Sequence, residues 1–168
     1  MVEVVIDSVK VSLVSQYRLV VLKERFGERY LPIWIGPFEA DAITYQLQGH
    51  EVPRPLTHDL LKKVVQTMGA EIQHVIVTDL RNETFYANLV LKVDGRQLEV
   101  DSRPSDAIAL AVRANAKIYV ADEIMDKVSI VPEEDISGRT TEEEEEKLSA
   151  FSDFIDTLDL DDLGKKTS

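Results

Sequence analysis

Apolar residues along this chain recur at two spacings, and the change from one to the other separates strands from helices. Apolar runs at residues 9–13, 19–22 and 30–35 predict three strands, and runs at 74–77, 84–93 and 97–101 predict three more. Asp94 and Gly95 predict a tight turn between the last two. Helical spacing follows each set of three strands, so the order strand, strand, strand, helix occurs twice.

An internal repeat accounts for this order. LPIWIGP at residues 31–37 aligns with LEVDSRP at 98–104, and DAI occurs at both 41–43 and 106–108. Pro37 and Pro104 suit the first helical position, where a missing N–H breaks no hydrogen bond. We predict helices at 37–48, ended by Gly49, and at 104–114, ended by Asn115 in the left-handed conformation. The predicted fold class is therefore α+β, a duplicated β-β-β-α repeat with helices packed on the sheets.

Three further elements complete the predicted body. Thr57 suits the N-cap of a helix that Gly69 ends and that carries one apolar stripe, Leu60, Leu61, Val64, Val65 and Met68. Two short strands are predicted at 117–120 and 128–131, joined by a turn or a single helical turn at 122–126.

Charge divides the chain into a body, residues 1–132, and an acidic C-terminal segment, residues 133–168. The segment has 13 acidic and four basic residues and carries most of the formal charge of −12, whereas the body has 18 acidic and 15 basic residues. Thr140 and Glu143 fit a capping box, and apolar residues recur at helical spacing over 148–158. We predict an acidic amphipathic helix here, which docks on the body, a sister subunit or a protein partner.

Composition excludes several classes of function. The chain has no cysteine, which excludes cysteine nucleophiles and thiolate metal sites. No apolar run approaches the length of about 18 residues that a membrane span needs, and the acids Glu3 and Asp7 stand where a secretory signal carries bases. We expect a cytoplasmic protein with no membrane partner. Because no glycine-rich nucleotide motif occurs, we also expect no organic cofactor.

Four motifs together resemble the signature of the bifunctional nuclease domain family of bacterial and plant proteins. They are LPIWIG at residues 31–36, RPLTHDLL at 54–61, TFYA at 84–87 and DSRPSDAIALA at 101–111. The resemblance covers about residues 1–132. It implies a duplicated α+β domain with DNase and RNase activity, so DNA and RNA are the expected substrates.

Phosphodiester hydrolysis requires an oriented water molecule and positive charge on the phosphate, from Mg²⁺, Mn²⁺ or basic side chains. Charged residues suited to both tasks cluster near the predicted helix starts. We assign catalytic roles to His58, Asp59, Asp101 and Asp106, phosphate binding to Arg54 and Arg103, and binding of Mg²⁺ or Mn²⁺, where a metal is used, to Glu39 and Asp41.

Each assignment has a structural alternative. Acidic residues such as Asp41 and Asp106 are favourable at any helix start, and His58 can form a purely structural hydrogen bond. The two arginines can pair with neighbouring aspartates in an ion network. For three aromatic residues we favour core packing over stacking on bases: Trp34, Phe85 and Tyr86.

Two classes of function remain open. The resemblance favours a nuclease, which is our prediction, whereas the acidic charge favours a non-catalytic, homo-oligomeric interaction module whose C-terminal helix docks a protein partner. In either case we expect a homodimer, because sheet edges and the apolar stripe of the C-terminal helix need to be covered.

Overall fold

The computed structural model describes residues 1–11 and 17–132, which form one mixed α+β body. Its strands are β1 (Val2–Val11), β2 (Arg18–Glu24), β3 (Tyr30–Ile35), β4 (Ala70–Arg81), β5 (Thr84–Val93), β6 (Arg96–Ser102) and β7 (Lys117–Val120). Its helices are α1 (Pro37–Leu47), α2 (Thr57–Thr67), α3 (Pro104–Ala114) and α4 (Asp122–Val128).

All seven strands belong to a single sheet of order β3-β2-β1-β7-β4-β5-β6, rather than to separate sheets. Strands β1 to β3 form one antiparallel meander and β4 to β6 form another. Strand β7 joins them, antiparallel to β1 and parallel to β4. The order of elements agrees with the prediction. The duplication of the two halves stays a prediction, which superposition of residues 2–47 on 70–114 would test.

Local sequence signals determine where the helices and turns fall. Pro37 and Pro104 are the first residues of α1 and α3, as predicted. Asn115 ends α3 in the left-handed conformation, with φ of 56°. Asp94 and Gly95 both have positive φ, 49° and 76°, which is the geometry of the tight hairpin turn between β5 and β6.

Helix α3 forms the centre of the core. It packs against α1, α2 and strands β4 and β5, and nearly all of its residues are buried. Ala107, Ala109 and Ala111 have at most 1% of their surface exposed. Such small side chains let neighbouring backbones approach closely, so α3 packs tightly against α1 and α2.

Helix α2 turns most of its apolar stripe to the solvent. Leu60, Leu61, Val64 and Met68 are exposed, and only Val65 packs against the core. The inner face of α2 instead carries polar residues bonded to α3: His58, Asp59 and Lys62. The apolar spacing predicts the stripe but not the direction it faces, which these polar contacts fix.

Two smaller predictions also change. Thr57 is the first residue of α2 and Leu56 is its N-cap, with no side-chain cap. The predicted strand at 128–131 is reduced to one bridge between Tyr30 and Ile130, because helix α4 continues to Val128.

The predicted acidic helix of residues 133–168 lies outside the described residues. Every helix in the described part of the chain is too short or too polar to cross a bilayer.

Candidate functional site

The starts of helices α1 and α3 are joined by one arginine. Arg103 is the N-cap residue of α3, and its Nε donates a hydrogen bond of 2.7 Å to Asp106 in the first turn of the same helix. Its Nη2 donates another, of 2.8 Å, to Glu39 in the first turn of α1. These helices follow β3 and β6, the two opposite edges of the sheet. The sheet must therefore curl for the two helix starts to meet.

The second oxygen of Asp106 contacts α2. His58 Nε2 lies 2.9 Å from Asp106 Oδ1, and His58 is 8% exposed. A carboxylate has no proton to donate, so Nε2 is the donor in this hydrogen bond, and in a neutral imidazole Nδ1 then holds the lone pair. Four predicted residues thus form one continuous chain of hydrogen bonds, in the order His58, Asp106, Arg103 and Glu39.

Both partners of Arg103 hold it as a cation. The hydrogen bond and charge of Asp106, with a smaller contribution from Glu39, raise the pKa of Arg103 above its ordinary value. The Arg103 side chain is nevertheless 67% exposed. A guanidinium that is fixed in position and open to solvent can bind a phosphate oxygen while it retains one or both carboxylate contacts.

Asp59 lies next to His58 in sequence but belongs to a different cluster. Its Oδ1 accepts a hydrogen bond of 2.6 Å from Arg113 Nε, and its Oδ2 accepts one of 2.9 Å from the Leu56 N–H. Burial raises the pKa of Asp59 and is the largest single contribution. The bonds from Leu56 and Arg113, with the charges of Arg113 and His58, outweigh burial, so the pKa of Asp59 lies below its ordinary value.

The remaining predicted residues lie outside the hydrogen-bonded chain. Asp41 and Asp101 are exposed, and within residues 1–11 and 17–132 neither side chain has a hydrogen-bond or ion-pair partner. Arg54 is also exposed and lines a separate pocket beside Asp59 and Arg113. The structure therefore brings together four of the eight predicted residues.

A divalent metal site is not preformed by these residues. Across the described residues, no group of three or more His, Asp or Glu side chains is arranged to hold a metal ion. Arg103 lies between the Glu39 and Asp106 carboxylates, so a cation there would have to displace the guanidinium. The residues as arranged do not fit the Mg²⁺ or Mn²⁺ ion predicted at Glu39 and Asp41.

A cleft of about 730 Å³ opens beside the helix starts. Its lining includes Gly36 and Pro37 at the start of α1 and Arg103 to Ser105 at the start of α3. It also includes Glu83 in the turn between β4 and β5, and Thr84 and Phe85 at the start of β5. Because Arg103 belongs both to this lining and to the hydrogen-bonded chain, a substrate in the cleft would contact the candidate site.

Aromatic residues also line the cleft. Trp34 is 53% exposed and packs edge-to-face on Tyr17, with ring centroids 6.1 Å apart. The prediction of core packing was wrong for Trp34 and is confirmed for Phe85, which packs against the core. Tyr86 is 37% exposed and lies under the Arg81 guanidinium. Tyr17, which immediately precedes β2, was not among the predicted residues, because its position beside Trp34 depends on the pairing of β2 with β3.

Sequence comparison shows the family to which the chain belongs. The bifunctional nuclease domain family matches residues 20–133, and the chain belongs to that family. It is 37% identical over 162 residues to an uncharacterized protein of Mycobacterium tuberculosis, covering 96% of this chain and 97% of that protein.

Plant relatives carry the family's name. The chain is 33% identical over 105 residues to bifunctional nuclease 1 of Arabidopsis thaliana, which covers 60% of this chain and 32% of the plant protein. It is 29% identical over 110 residues to bifunctional nuclease 1 of rice, covering 63% and 33% respectively. The region of similarity spans about a third of each plant protein.

Proposed function

We propose that this protein is a nuclease that hydrolyses phosphodiester bonds of DNA and RNA. The observation that carries the proposal is the chain of hydrogen bonds from His58 through Asp106 to Arg103, which ends at a cleft large enough for a nucleotide. Membership of the bifunctional nuclease domain family and the similarity to plant bifunctional nucleases support it.

In the proposed reaction, His58 acts as general base. Asp106 orients the imidazole so that Nδ1 accepts a proton from water. The water oxygen then forms a bond to phosphorus, the phosphorus bond to the leaving oxygen breaks, and that oxygen takes a proton from solvent. Arg103 binds the phosphate oxygens, where negative charge increases during attack. Glu39 keeps the guanidinium in place.

Four assigned residues have no step in this mechanism. Asp59 is bonded to Arg113 and Leu56, Arg54 lines another pocket, and Asp41 and Asp101 are exposed on α1 and β6.

A requirement for Mg²⁺ or Mn²⁺ stays a prediction. Cleavage that survives EDTA would mean that Arg103 supplies sufficient positive charge. Loss of cleavage in EDTA would mean that a metal enters with the substrate phosphate.

The decisive experiment compares cleavage of labelled single- and double-stranded DNA and RNA by the wild type and by His58→Gln and Asp106→Asn proteins. All proteins are purified identically, and circular dichroism checks their folding. The proposal predicts cleavage by the wild type and loss of cleavage in both folded variants. Equal cleavage by all three proteins, or by none, would contradict it.

A non-catalytic interaction module is the second candidate, and exposed apolar surface favours it. Helix α2 exposes Leu60, Leu61, Val64 and Met68, which is unusual for a helix at the surface of a monomer. In this alternative the protein binds a protein partner, through α2 or through residues 133–168. It predicts folded protein that lacks nuclease activity in every metal condition.

A homodimer is proposed under either function, and strand β6 is the surface we favour. β6 is an edge strand and exposes Leu98 and Val100, which lie two residues apart on one face. The other edge strand, β3, contains Pro32 and pairs through Tyr30 with Ile130, so it is a poorer template for another strand. Antiparallel pairing of β6 with its copy would satisfy two-fold symmetry.

A further inference from the structure

A second pocket, separate from the cleft at Arg103, collects positive charge on this acidic protein. It has a volume of about 420 Å³ and lies between the segment 52–55, helix α2 and the end of α3. Four basic residues and one acidic residue line it: Arg54, Lys62, Lys63, Arg113 and Asp59. The excess of positive charge is notable because the described body as a whole has more acidic than basic residues.

The single carboxylate of this pocket is already occupied. Asp59 accepts hydrogen bonds from Arg113 at 2.6 Å and from the Leu56 N–H at 2.9 Å, and its lowered pKa keeps it ionised. One positive charge, that of Arg113, is therefore matched by Asp59. The charges of Arg54, Lys62 and Lys63 remain in excess.

Arg113 is built into the base of the pocket. Its side chain is 3% exposed, its Nε binds Asp59, and its Nη1 donates to the Ala109 carbonyl. Within the described part of the chain, its third nitrogen, Nη2, has no hydrogen-bond partner. Nη2 keeps some access to solvent, so it can donate to a ligand in the pocket that accepts hydrogen bonds.

The other bases are also available to a ligand. Arg54 and Lys63 form no ion pair within residues 1–11 and 17–132. Lys62 donates to the carbonyl of Arg113, a neutral acceptor that leaves its positive charge uncompensated. Arg54 lies between Pro53 and Pro55, whose fixed φ angles restrict the backbone that carries it. The Arg113 guanidinium is thus held in place, whereas the Arg54 side chain and the two lysines can adapt to a ligand.

We infer that this pocket binds a phosphate group, in a polynucleotide backbone or in a free phosphorylated compound. Phosphate accepts several hydrogen bonds at once, which suits guanidinium and ammonium donors arranged around one space. Arg113 follows Asp106 by seven residues on α3, which corresponds to about 10 Å. A bound phosphate here is therefore a different one from the phosphate at Arg103. Its identity as a second backbone phosphate rests on the proposed nuclease function.

The test compares the full chain with an Arg54→Ala, Lys63→Ala double variant and with a matched control, Lys92→Ala, Arg96→Ala. The control removes the same two types of charge from exposed positions on the β5–β6 hairpin. Pyrophosphate binding is measured by calorimetry, and binding of a short single-stranded DNA is measured by fluorescence anisotropy across a salt series.

We expect the pocket variant to lose about tenfold or more in affinity for at least one probe, and the control to lose little. For single-stranded DNA, loss of two phosphate contacts should reduce the slope of log affinity against log salt by about 1.4. Loss confined to pyrophosphate indicates a small phosphorylated ligand, and loss for DNA indicates a backbone phosphate. Equal affinities of the pocket variant and the control for both probes would overturn the inference.

Cleavage assays separate this inference from the proposed function. If the pocket variant binds both probes like the wild type while the wild type cleaves DNA through His58, the inference about the pocket is wrong and the nuclease proposal stands. If pyrophosphate binding depends on Arg54 and Lys63 but the protein cleaves no substrate, the phosphate-binding inference stands and the nuclease proposal is wrong.

Discussion

Arg103 donates a hydrogen bond of 2.8 Å to Glu39, although 64 residues separate them in sequence and their helices follow opposite edges of the sheet. The contact fixes the guanidinium at the mouth of the cleft. It also places two carboxylates, those of Glu39 and Asp106, around one exposed cation. A cation held in this way can bind phosphate without first being ordered.

Replacement of Arg103 by alanine should lower kcat/KM for nucleic acid cleavage by about 100-fold, the usual effect of removing one donor to developing negative charge. The free energy of unfolding should change by less than about 1 kcal/mol, because the side chain is mostly exposed. Arg103→Lys should restore little activity, since an ammonium cannot span Glu39 and Asp106. Arg96→Ala is the control. Full activity in Arg103→Ala would contradict phosphate binding by this residue.

Glu39 offers a test of positioning rather than of contact with substrate. Glu39→Gln keeps the shape of the side chain but removes the charge that holds Arg103. We expect KM to rise by about tenfold or less with kcat changed little, because Arg103 is still present but less well ordered. Steady-state kinetics on labelled RNA would measure this. An unchanged KM would mean that Asp106 alone is sufficient to position Arg103.

His58→Gln should lower kcat by about 100-fold or more while KM changes little, because a general base acts in the transition state and not in substrate binding. A structural role predicts a different result, in which stability falls and kcat per folded molecule is retained. Urea unfolding alongside kinetics distinguishes the two. His50→Gln is a matched control, since His50 is exposed and contacts Gln48 and Tyr45 rather than the hydrogen-bonded chain.

Local signals in the sequence were sufficient to predict most element boundaries. Pro37 and Pro104 mark helix starts, and Asp94 with Gly95 marks a hairpin turn, because each choice depends on backbone conformation within a few residues. The orientation of α2 could not be predicted in this way, since it depends on hydrogen bonds from His58 and Lys62 to a helix that begins more than 40 residues later.

The candidate site could be predicted in part for the same reason. His58, Arg103 and Asp106 lie at helix starts, where sequence patterns are informative, and the sheet brings those starts together. Arg54 was predicted to share the phosphate of Arg103, but it lies in another pocket. The exposure of Trp34 depends on the curl of the sheet, which cross-strand contacts determine and which no local pattern records.

Stability should depend on pH through Asp59. Because the pKa of Asp59 is lowered in the folded protein, its ionised form contributes stability above the ordinary pKa of aspartate, near 4, and this contribution is lost as the pH falls through the lowered value. Asp59→Asn should therefore reduce the free energy of unfolding by about 3 kcal/mol near neutral pH, where it leaves Arg113 buried without a counterion.

Urea unfolding of the wild type and Asp59→Asn at a series of pH values would measure this effect. The difference between the two proteins should shrink as the pH falls below about 4. In a double-mutant cycle with Arg113→Met, the cost of Asp59→Asn should largely disappear, because no buried charge remains. A difference that stays constant with pH would show that the charge of Asp59 is not what stabilises this contact.

The proposed dimer can be tested by substitution on strand β6. If β6 pairs with its copy, a Leu98→Lys, Val100→Lys variant should be a monomer, because two lysines per strand would bring like charges together across the pairing. Light scattering with gel filtration would measure the mass. Phe26→Lys is the control, since Phe26 is 87% exposed in the turn between β2 and β3 and lies outside β6. A wild type that is monomeric at every concentration would contradict the dimer. A variant that stays dimeric would place the interface elsewhere, and the exposed residues of α2 would then be the next surface to substitute.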